Sequence, residues 1–416
     1  MNIYVETYGC TANKADETLL FGVLKHAGHT IVHAIEEADV LVLLTCTVIG
    51  TTEQRMLSRL KVFQKTHKKI IVTGCMVPVQ PELITDLIPH AVLLQPQYIQ
   101  YINDIIKGNI PAFLETKKTM LPKYFQTMCA PIAIAEGCML SCSYCITHFA
   151  RGKLRSFPIQ VIIADVRSAL KQGCKEIQLT AQDTASYGLD ASTNLGVLLT
   201  QIGAIHETFR IRVGMMNPIT VKKNLHSILP AYQNEKIYKF LHLPVQSGDD
   251  DILKLMNRGY TTQDFLSLVH QFRNTVPSLT LSTDVIIGFP TETDVQFNQT
   301  IQLIKNVRPD IINITRFSAR PLTTAKTMHG RVPTHIVKER SQQMTKICSV
   351  ISLEKNQEHV GKTYNVLVTE KGKKNTYTGR TEGYKQVVFK EAVALGDVVY
   401  TEIIDAAPTY LVGKLI

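Results

Sequence analysis

Cys138, Cys142 and Cys145 stand in the stretch Glu136-Gly-Cys-Met-Leu-Ser-Cys-Ser-Tyr-Cys-Ile146 with the spacing C-x3-C-x2-C. Three thiolates at unequal spacing hold three corners of a four-iron cluster and leave one iron open to a ligand. Iron-sulfur clusters normally have four thiolates and structural zinc sites two pairs, so three cysteines with no near fourth point to chemistry at an open coordination position. The competing reading is a CCCH zinc knuckle with His148 as fourth ligand. Such a knuckle forms a small module of its own, whereas this triplet follows an apolar, strand-like run at 131–135 in a long chain.

Elements must hold that loop in place. Residues 130 to about 325 repeat a strand-then-helix pattern, with candidate strands at 131–135, 176–180, 210–215, 239–243, 281–287 and 311–316. Six such units predict a partial (β/α) barrel with its function at the mouth, where the strands end. Polar clusters fall there: Gln182-Asp183, Asn217-Pro218, Pro244-Val-Gln-Ser-Gly248 and Gly288-Phe-Pro290. Asn, Pro, Gly and Ser also end strands for local reasons, which leaves Asn217-Pro218 and Gly288-Phe-Pro290 open between turn and site. Gln182, Gln246 and Ser247 are stronger candidates, because a zwitterionic ligand needs fixed polar groups for its ammonium and carboxylate.

Upstream, β-rich runs at 3–7, 39–47 and 69–73 alternate with helical patterns near 14–28, 52–66 and 80–90, which predicts an open, parallel α/β sheet. Cys10, Cys46 and Cys75 each fall at the end of one run, and in such a sheet those ends share one edge. A single cysteine there reads as a small buried residue. Three in one topological place, each beside Gly9, Thr45, Thr47 or Gly74, predict a shared metal site. Cys129, Cys174 and Cys348 have no spacing logic and are expected to be buried thiols.

Downstream, a mixed-charge helical pattern spans about 333–357, and residues 359–416 read as five short strands with Gly-bearing turns, a small β-barrel. Between Lys371 and Lys390 six basic residues (Lys371, Lys373, Lys374, Arg380, Lys385 and Lys390) face one acid, Glu382, with Tyr377 and Tyr384 interleaved. That mixture grips a nucleic-acid backbone and stacks bases; a solvated hairpin tip is the plainer alternative.

With 416 residues and 45% hydrophobic content the chain supports two or three domains and is not disordered. No apolar run reaches the roughly 18 residues of a membrane span, and Met-Asn-Ile-Tyr-Val-Glu is not a basic leader, so a soluble, cytoplasmic protein is expected. Nine cysteines in a reducing compartment favour metal binding or catalysis over disulfides. A net charge of +10 suits a polyanionic partner.

The order of the two cysteine trios and the small barrel, with Thr7-Tyr-Gly-Cys-Thr-Ala-Asn13, Leu179-Thr-Ala-Gln-Asp183, His242-Leu-Pro-Val-Gln-Ser-Gly248, Met256-Asn-Arg258 and Asp284-Val-Ile-Ile-Gly-Phe-Pro-Thr-Glu292, resembles the radical SAM methylthiotransferases from end to end. The resemblance implies an N-terminal methylthiotransferase domain over 1–125, a radical SAM partial barrel with trailing helix over 126–356 and an RNA-binding TRAM barrel over 357–416. It also implies two [4Fe-4S] clusters and S-adenosylmethionine (SAM). In that family the Cys138/Cys142/Cys145 cluster passes an electron to SAM to give a 5′-deoxyadenosyl radical, while a sulfur on the Cys10/Cys46/Cys75 cluster is methylated and delivered. Tyr144, Gln182, Gln246, Ser247, Arg258 and Asp284 become candidate SAM contacts, with Gln182 for the ammonium and Arg258 for the carboxylate. Arg258 paired with Asp249, Asp250 or Asp251 is the structural alternative.

Three branches are familiar, acting on isopentenyladenosine in tRNA, on threonylcarbamoyladenosine in tRNA, or on an aspartate of a ribosomal protein. The segment Cys145-Ile-Thr-His-Phe-Ala-Arg-Gly-Lys-Leu-Arg-Ser-Phe-Pro158 looks like the threonylcarbamoyladenosine branch, with His148 where that branch is expected to have Lys. The eukaryotic members' C-terminal membrane tail does not follow Ile416, which fits an archaeal-type or otherwise soluble member. The implied partners are a tRNA anticodon stem-loop carrying threonylcarbamoyladenosine (t6A) at position 37 and an electron donor such as a ferredoxin or flavodoxin; the protein is expected to be a monomer. Arg151, Lys153 and Arg155 are candidates for RNA phosphates or for the threonyl carboxylate, which Arg binds bidentately. A rival of another class is a zinc-dependent, non-catalytic RNA-binding protein.

Overall fold

The computed structural model describes residues 1–48, 50–109, 118–373 and 375–416. In the first domain β1 (Asn2–Thr7), β2 (Thr30–Val32), β3 (Val40–Thr45), β4 (Lys69–Gly74) and β5 (Val92–Leu93) form a sheet in the order β2-β1-β3-β4-β5, with every pair parallel. All six residues of β3 are buried, as a strand covered on both faces requires. Helices Thr11–His26 and Gly50–Gln64 provide that cover. The helical pattern at 80–90 shrinks to Pro81–Thr85. The sheet's edge strands, of three and two residues, are too short to have shown a period.

The central domain contains β6 (Cys129–Ala133), a short antiparallel pair β7 (Ala135–Glu136) and β8 (Arg155–Ser156), then β9 (Glu176–Thr180), β10 (Arg210–Val213), β11 (Phe240–His242), β12 (Thr280–Ile287) and β13 (Ile311–Arg316). Two parallel ladders, β10-β9-β6 and β11-β12-β13, are joined by a parallel bridge between Ile211 and Ile237, which gives the six-stranded partial barrel. Alternation sorts the faces. Ile177, Leu179, Ile211, Val213, Leu241, Leu281 and Val285 sit in the core beneath the outer helices. The residues between them (Gln178, Arg212, Phe240, His242, Ser282 and Asp284) therefore face the lumen.

Helix Thr334–Gln357 leads to β14 (Thr363–Lys371), β15 (Tyr377–Arg380), β16 (Gln386–Phe389), β17 (Val398–Ala406) and β18 (Leu411–Leu415), a closed barrel in the order β14-β15-β16-β18-β17 around Val366, Val368, Val387, Phe389, Ile403 and Leu411. It is pinned to the central domain by Lys385 Nζ, 2.8 Å from Asp310 Oδ1 and 2.9 Å from Asn356 Oδ1, and by Lys239 N donating to Glu382 O at 2.9 Å. Among the described residues no helix is long and apolar enough to cross a membrane.

Candidate iron-sulfur and substrate site

The register pairs Thr7 with Leu44 and Thr45 with Gly74, so Cys10, Cys46 and Cys75 leave three adjacent strands at one edge. Gly9 has φ +111°, and a Cβ there would stand 2.9 Å from Cys46 Cβ; only glycine lets the Cys10 turn pass so close. Cys75 N donates to Thr45 O at 2.9 Å, and Asn13 Nδ2 ties the loops together by donating to Tyr8 O at 2.6 Å and Thr45 O at 2.8 Å. Burial pushes the Cys75 thiol up to about 11 and raises Cys46, with the neighbouring Cys10 adding to both. Iron bound there would replace the proton and remove that penalty.

Arg151, expected on RNA, is instead buried at the domain seam with 3% side-chain exposure. Its Nε donates to Cys75 Sγ at 3.1 Å, Nη2 to Asn13 Oδ1 at 2.6 Å, and Nη1 to Asp16 Oδ2 at 2.5 Å and Glu136 Oε1 at 3.2 Å. Lys118 Nζ bridges the same two carboxylates at 3.1 and 2.7 Å. Burial alone would raise Glu136, but Lys118 and Arg151 hold it down at about 2. A second buried arginine, Arg320, reaches from the central domain to Glu53, to Thr47 Oγ1 at 3.2 Å and to Gln80 Oε1 at 2.8 Å, beside Cys46. Sequence spacing carried no sign of Arg320, Lys118 or Asp16, because their partners lie up to 273 positions away.

The second trio lies between β7 and helix Thr147–Arg151. Gly137 opens it at φ +79°, where a Cβ would meet Lys153 O at 2.0 Å. Cys138 N donates to Gly152 O at 3.1 Å, Cys145 N to Cys142 O at 3.1 Å, and Leu140 N to Cys138 Sγ at 3.4 Å. Burial lifts the Cys138 thiol to about 12 and raises Cys145. His148 turns Nδ1 to Cys138 O at 3.1 Å, so its ring is engaged with backbone. Among the described residues no three His, Cys, Asp or Glu side chains are set to hold a single metal ion.

Arg258 is buried with no ion pair to Asp249, Asp250 or Asp251. Nη1 donates to Cys142 Sγ at 3.3 Å, Nη2 to Pro244 O at 3.3 Å and Nε to Tyr260 OH at 3.2 Å. Gln182 Oε1 is buried without a hydrogen-bond partner, an acceptor available for an ammonium. Gln246 takes φ +72° and is held by its N donating to Asp284 O at 2.8 Å and its O accepting from Ile286 N at 2.9 Å. Ser247 Oγ accepts from Asp249 N at 3.2 Å. Tyr144 stands edge-on to Phe289 at 6.4 Å, beside buried Ile252, Met256 and Ile286. Asp284 accepts from His242 Nε2 at 2.9 Å and Asn313 Nδ2 at 2.7 Å; against the upward push of burial, these donors keep its carboxyl below the ordinary value. Asn217 caps the next helix through Ile219 N, the turn role.

Of the basic residues expected on RNA, Arg155, Lys371 and Lys373 are exposed, and Lys374 lies outside the described residues. Lys385 is a correction: it is 4% exposed and locked to Asp310 and Asn356, because the 381–385 turn faces the central domain. Tyr384 likewise packs inward, 4.8 Å from the Tyr238 ring and 5.0 Å from Phe240, with Arg380 at 4.7 Å over it. Cys129, expected to be buried, is half-buried at the first position of β6.

Three family models match in sequence: Uncharacterized protein family UPF0004 over residues 2–95, the Radical SAM superfamily over 132–304 and the TRAM domain over 357–416. The fold resembles the radical S-adenosylmethionine methyltransferase of Kitasatospora setae, solved with cobalamin and a [4Fe-4S] cluster, at TM-score 0.59 and 11% identity over 78% of this chain and 76% of that one. It is thus a radical SAM enzyme fold extended by a TRAM barrel. The chain is 42% identical to the probable threonylcarbamoyladenosine tRNA methylthiotransferase of Pyrococcus abyssi, over 100% of this chain and 99% of the relative. It is 33% identical to the threonylcarbamoyladenosine tRNA methylthiotransferase of Drosophila melanogaster, over 100% of this chain and 77% of the relative. The chain belongs to the radical SAM methylthiotransferases, of the threonylcarbamoyladenosine tRNA methylthiotransferase type. S-adenosylmethionine and [4Fe-4S] clusters are the cofactors of that class.

Proposed function

We propose that this enzyme methylthiolates C2 of N6-threonylcarbamoyladenosine at position 37 of tRNA, in the cytoplasm and as a monomer. Residues 1–125 would hold the auxiliary cluster, 126–356 the SAM site and 357–416 part of the RNA contact. The observation that carries the reading is Arg151, which follows the Cys138/Cys142/Cys145 loop and donates to Cys75 Sγ at 3.1 Å, tying two open-site trios into one centre.

C2 of adenine carries a hydrogen that no side-chain base removes, and SAM bound at a [4Fe-4S] cluster supplies the radical chemistry such a position needs. Cys138, Cys142 and Cys145 would hold that cluster, and Cys10, Cys46 and Cys75 a second one that would supply the sulfur. Arg258 neutralises charge at Cys142 and keeps two of its five N–H donors for a carboxylate. Gln182 Oε1 accepts from the ammonium. Tyr144 and Phe289 keep the loop dry, which strengthens every polar contact inside. Arg155, Lys371 and Lys373 meet RNA phosphates, and a ferredoxin or flavodoxin delivers the electrons. Mass spectrometry of tRNA nucleosides from cells with and without the gene tests this. Loss of the methylthio form of t6A is expected in the deletion; its persistence would remove the assignment.

A further inference from the structure

Arg151, buried in ion pairs, is not free for the threonyl carboxylate, and Lys153 and Arg155 stand exposed on the surface, where phosphates are the commoner partners. A cavity of about 380 Å³ lies in the barrel lumen where the small C-terminal barrel closes it, and its walls include Arg212, Phe240, His242, Asn313, Arg380 and Tyr384. Arg212 lies 5.4 Å over the Phe240 ring and 5.8 Å over Tyr384, and Arg380 lies 4.7 Å over the same Tyr384. Among the described residues neither guanidinium has an ion-pair or hydrogen-bond partner, although Lys385 in the same wall is paired with Asp310. Two half-buried cations face one ring with the Glu176 carboxylate held at its hydroxyl rather than in an ion pair with either, and an anion between them would add a charge-assisted contact.

The floor is built for this. Tyr384 adopts φ +63°, a conformation costly for an aromatic residue, and its OH donates to Glu176 Oε1 at 3.1 Å, which fixes the ring across the lumen. The roof is the His242/Asp284/Asn313 cluster, and Asp284 O accepts from Gln246 N. The His242/Asp284/Asn313 cluster thus connects the cavity wall to the Gln246-Ser247 loop of the proposed SAM site through the Gln246 N–Asp284 O bond.

We propose that Arg212 and Arg380 receive the free carboxylate of the threonylcarbamoyl group, which makes this cavity the determinant that separates t6A from unmodified adenosine. The inference rests on the function proposed above. An RNA phosphate has similar chemistry, so the test must tell the two anions apart.

Reconstituted enzyme is titrated with three anticodon stem-loops of one sequence, carrying t6A, its methyl ester or plain adenosine at position 37, by fluorescence anisotropy and single-turnover methylthiolation. Arg212→Gln and Arg380→Gln should each weaken the t6A stem-loop about 10-fold and leave the adenosine stem-loop unchanged, with Arg212→Lys in between. The wild type should bind the ester as weakly as adenosine, an arm that needs no variant to fold. Equal weakening of all three RNAs, with a shallower salt dependence, assigns the arginines to phosphates and overturns the proposal; so does wild-type discrimination that ignores the ester. A wild type that binds t6A RNA but never methylthiolates it removes the function itself, a distinct failure.

Discussion

Arg151 Nε donates to Cys75 Sγ at 3.1 Å across 76 positions of sequence, and Arg258 Nη1 donates to Cys142 Sγ at 3.3 Å across 116. Each trio thus has one guanidinium from a distant segment against one of its sulfurs. Hydrogen bonds to ligand sulfur raise a cluster's reduction potential and steady its geometry. Arg151 also pairs with Asp16 and Glu136, so one side chain would couple tuning of the proposed auxiliary cluster to the domain seam.

Arg151→Met leaves Asp16 to Lys118, and Glu136 to Lys118 and the more exposed Arg155, and breaking a buried pair costs roughly 3–5 kcal/mol. The expected result is a lower Tm, together with a lower potential for the auxiliary cluster, read by EPR titration in a background where Cys138, Cys142 and Cys145 are Ala. Arg151→Lys keeps the charge but not the planar fork, and should recover Tm more than potential. A potential indifferent to both changes would sink the sulfur contact as a tuning device.

The two trios should separate cleanly. Cys46→Ala is expected to retain reductive cleavage of SAM to 5′-deoxyadenosine and to lose methylthiolation, with iron falling from roughly eight to roughly four per chain. Cys142→Ala should lose both reactions at similar iron content. Product formation by Cys46→Ala would refute the auxiliary role.

Much of this was legible in the sequence, for a physical reason. Strand ends in a parallel sheet share an edge, so Cys10, Cys46 and Cys75 converge because Thr7, Thr45 and Gly74 end neighbouring strands. Charge partners obey no such period. Arg151 and Lys385 looked like free cations because Asp16 and Asp310, which bury them, lie on other elements. Arg212 gave no signal either, since its lumen position matters only once the 381–385 turn seals the barrel below it.

Lys385 and Lys373 belong to one basic cluster in sequence and should behave oppositely. Lys385→Met strips the counter-charge from Asp310, which is 7% exposed, and is expected to cost roughly 3–5 kcal/mol and to expose the 357–363 junction to proteolysis. Lys373→Ala, at an exposed turn, should leave Tm within about 1 °C while lowering the salt slope of RNA binding by about 1. Equal behaviour of the two variants would refute the inward-facing turn.

His359 gives the same junction a pH dependence. Its Nδ1 lies 2.7 Å from Tyr364 OH, and burial, then the nearby Lys385 and Lys362 against the weaker pull of Asp310 and Glu358, lowers its pKa from 6.5 to about 4. The folded protein holds the ring neutral while the unfolded chain protonates it near 6.5. The unfolded state therefore binds more protons below that pH, and the stabilisation, complete above 6.5, is lost as pH falls through about 4. Each unit is worth about 1.4 kcal/mol in full burial, and screening at a half-buried ring cuts the total to about 1–2 kcal/mol. His359→Gln removes the titrating group and keeps a polar partner for Tyr364. Between pH 7.5 and pH 5 the wild type should lose a few degrees of Tm more than the variant; parallel curves would show that His359 does not couple the barrel to pH.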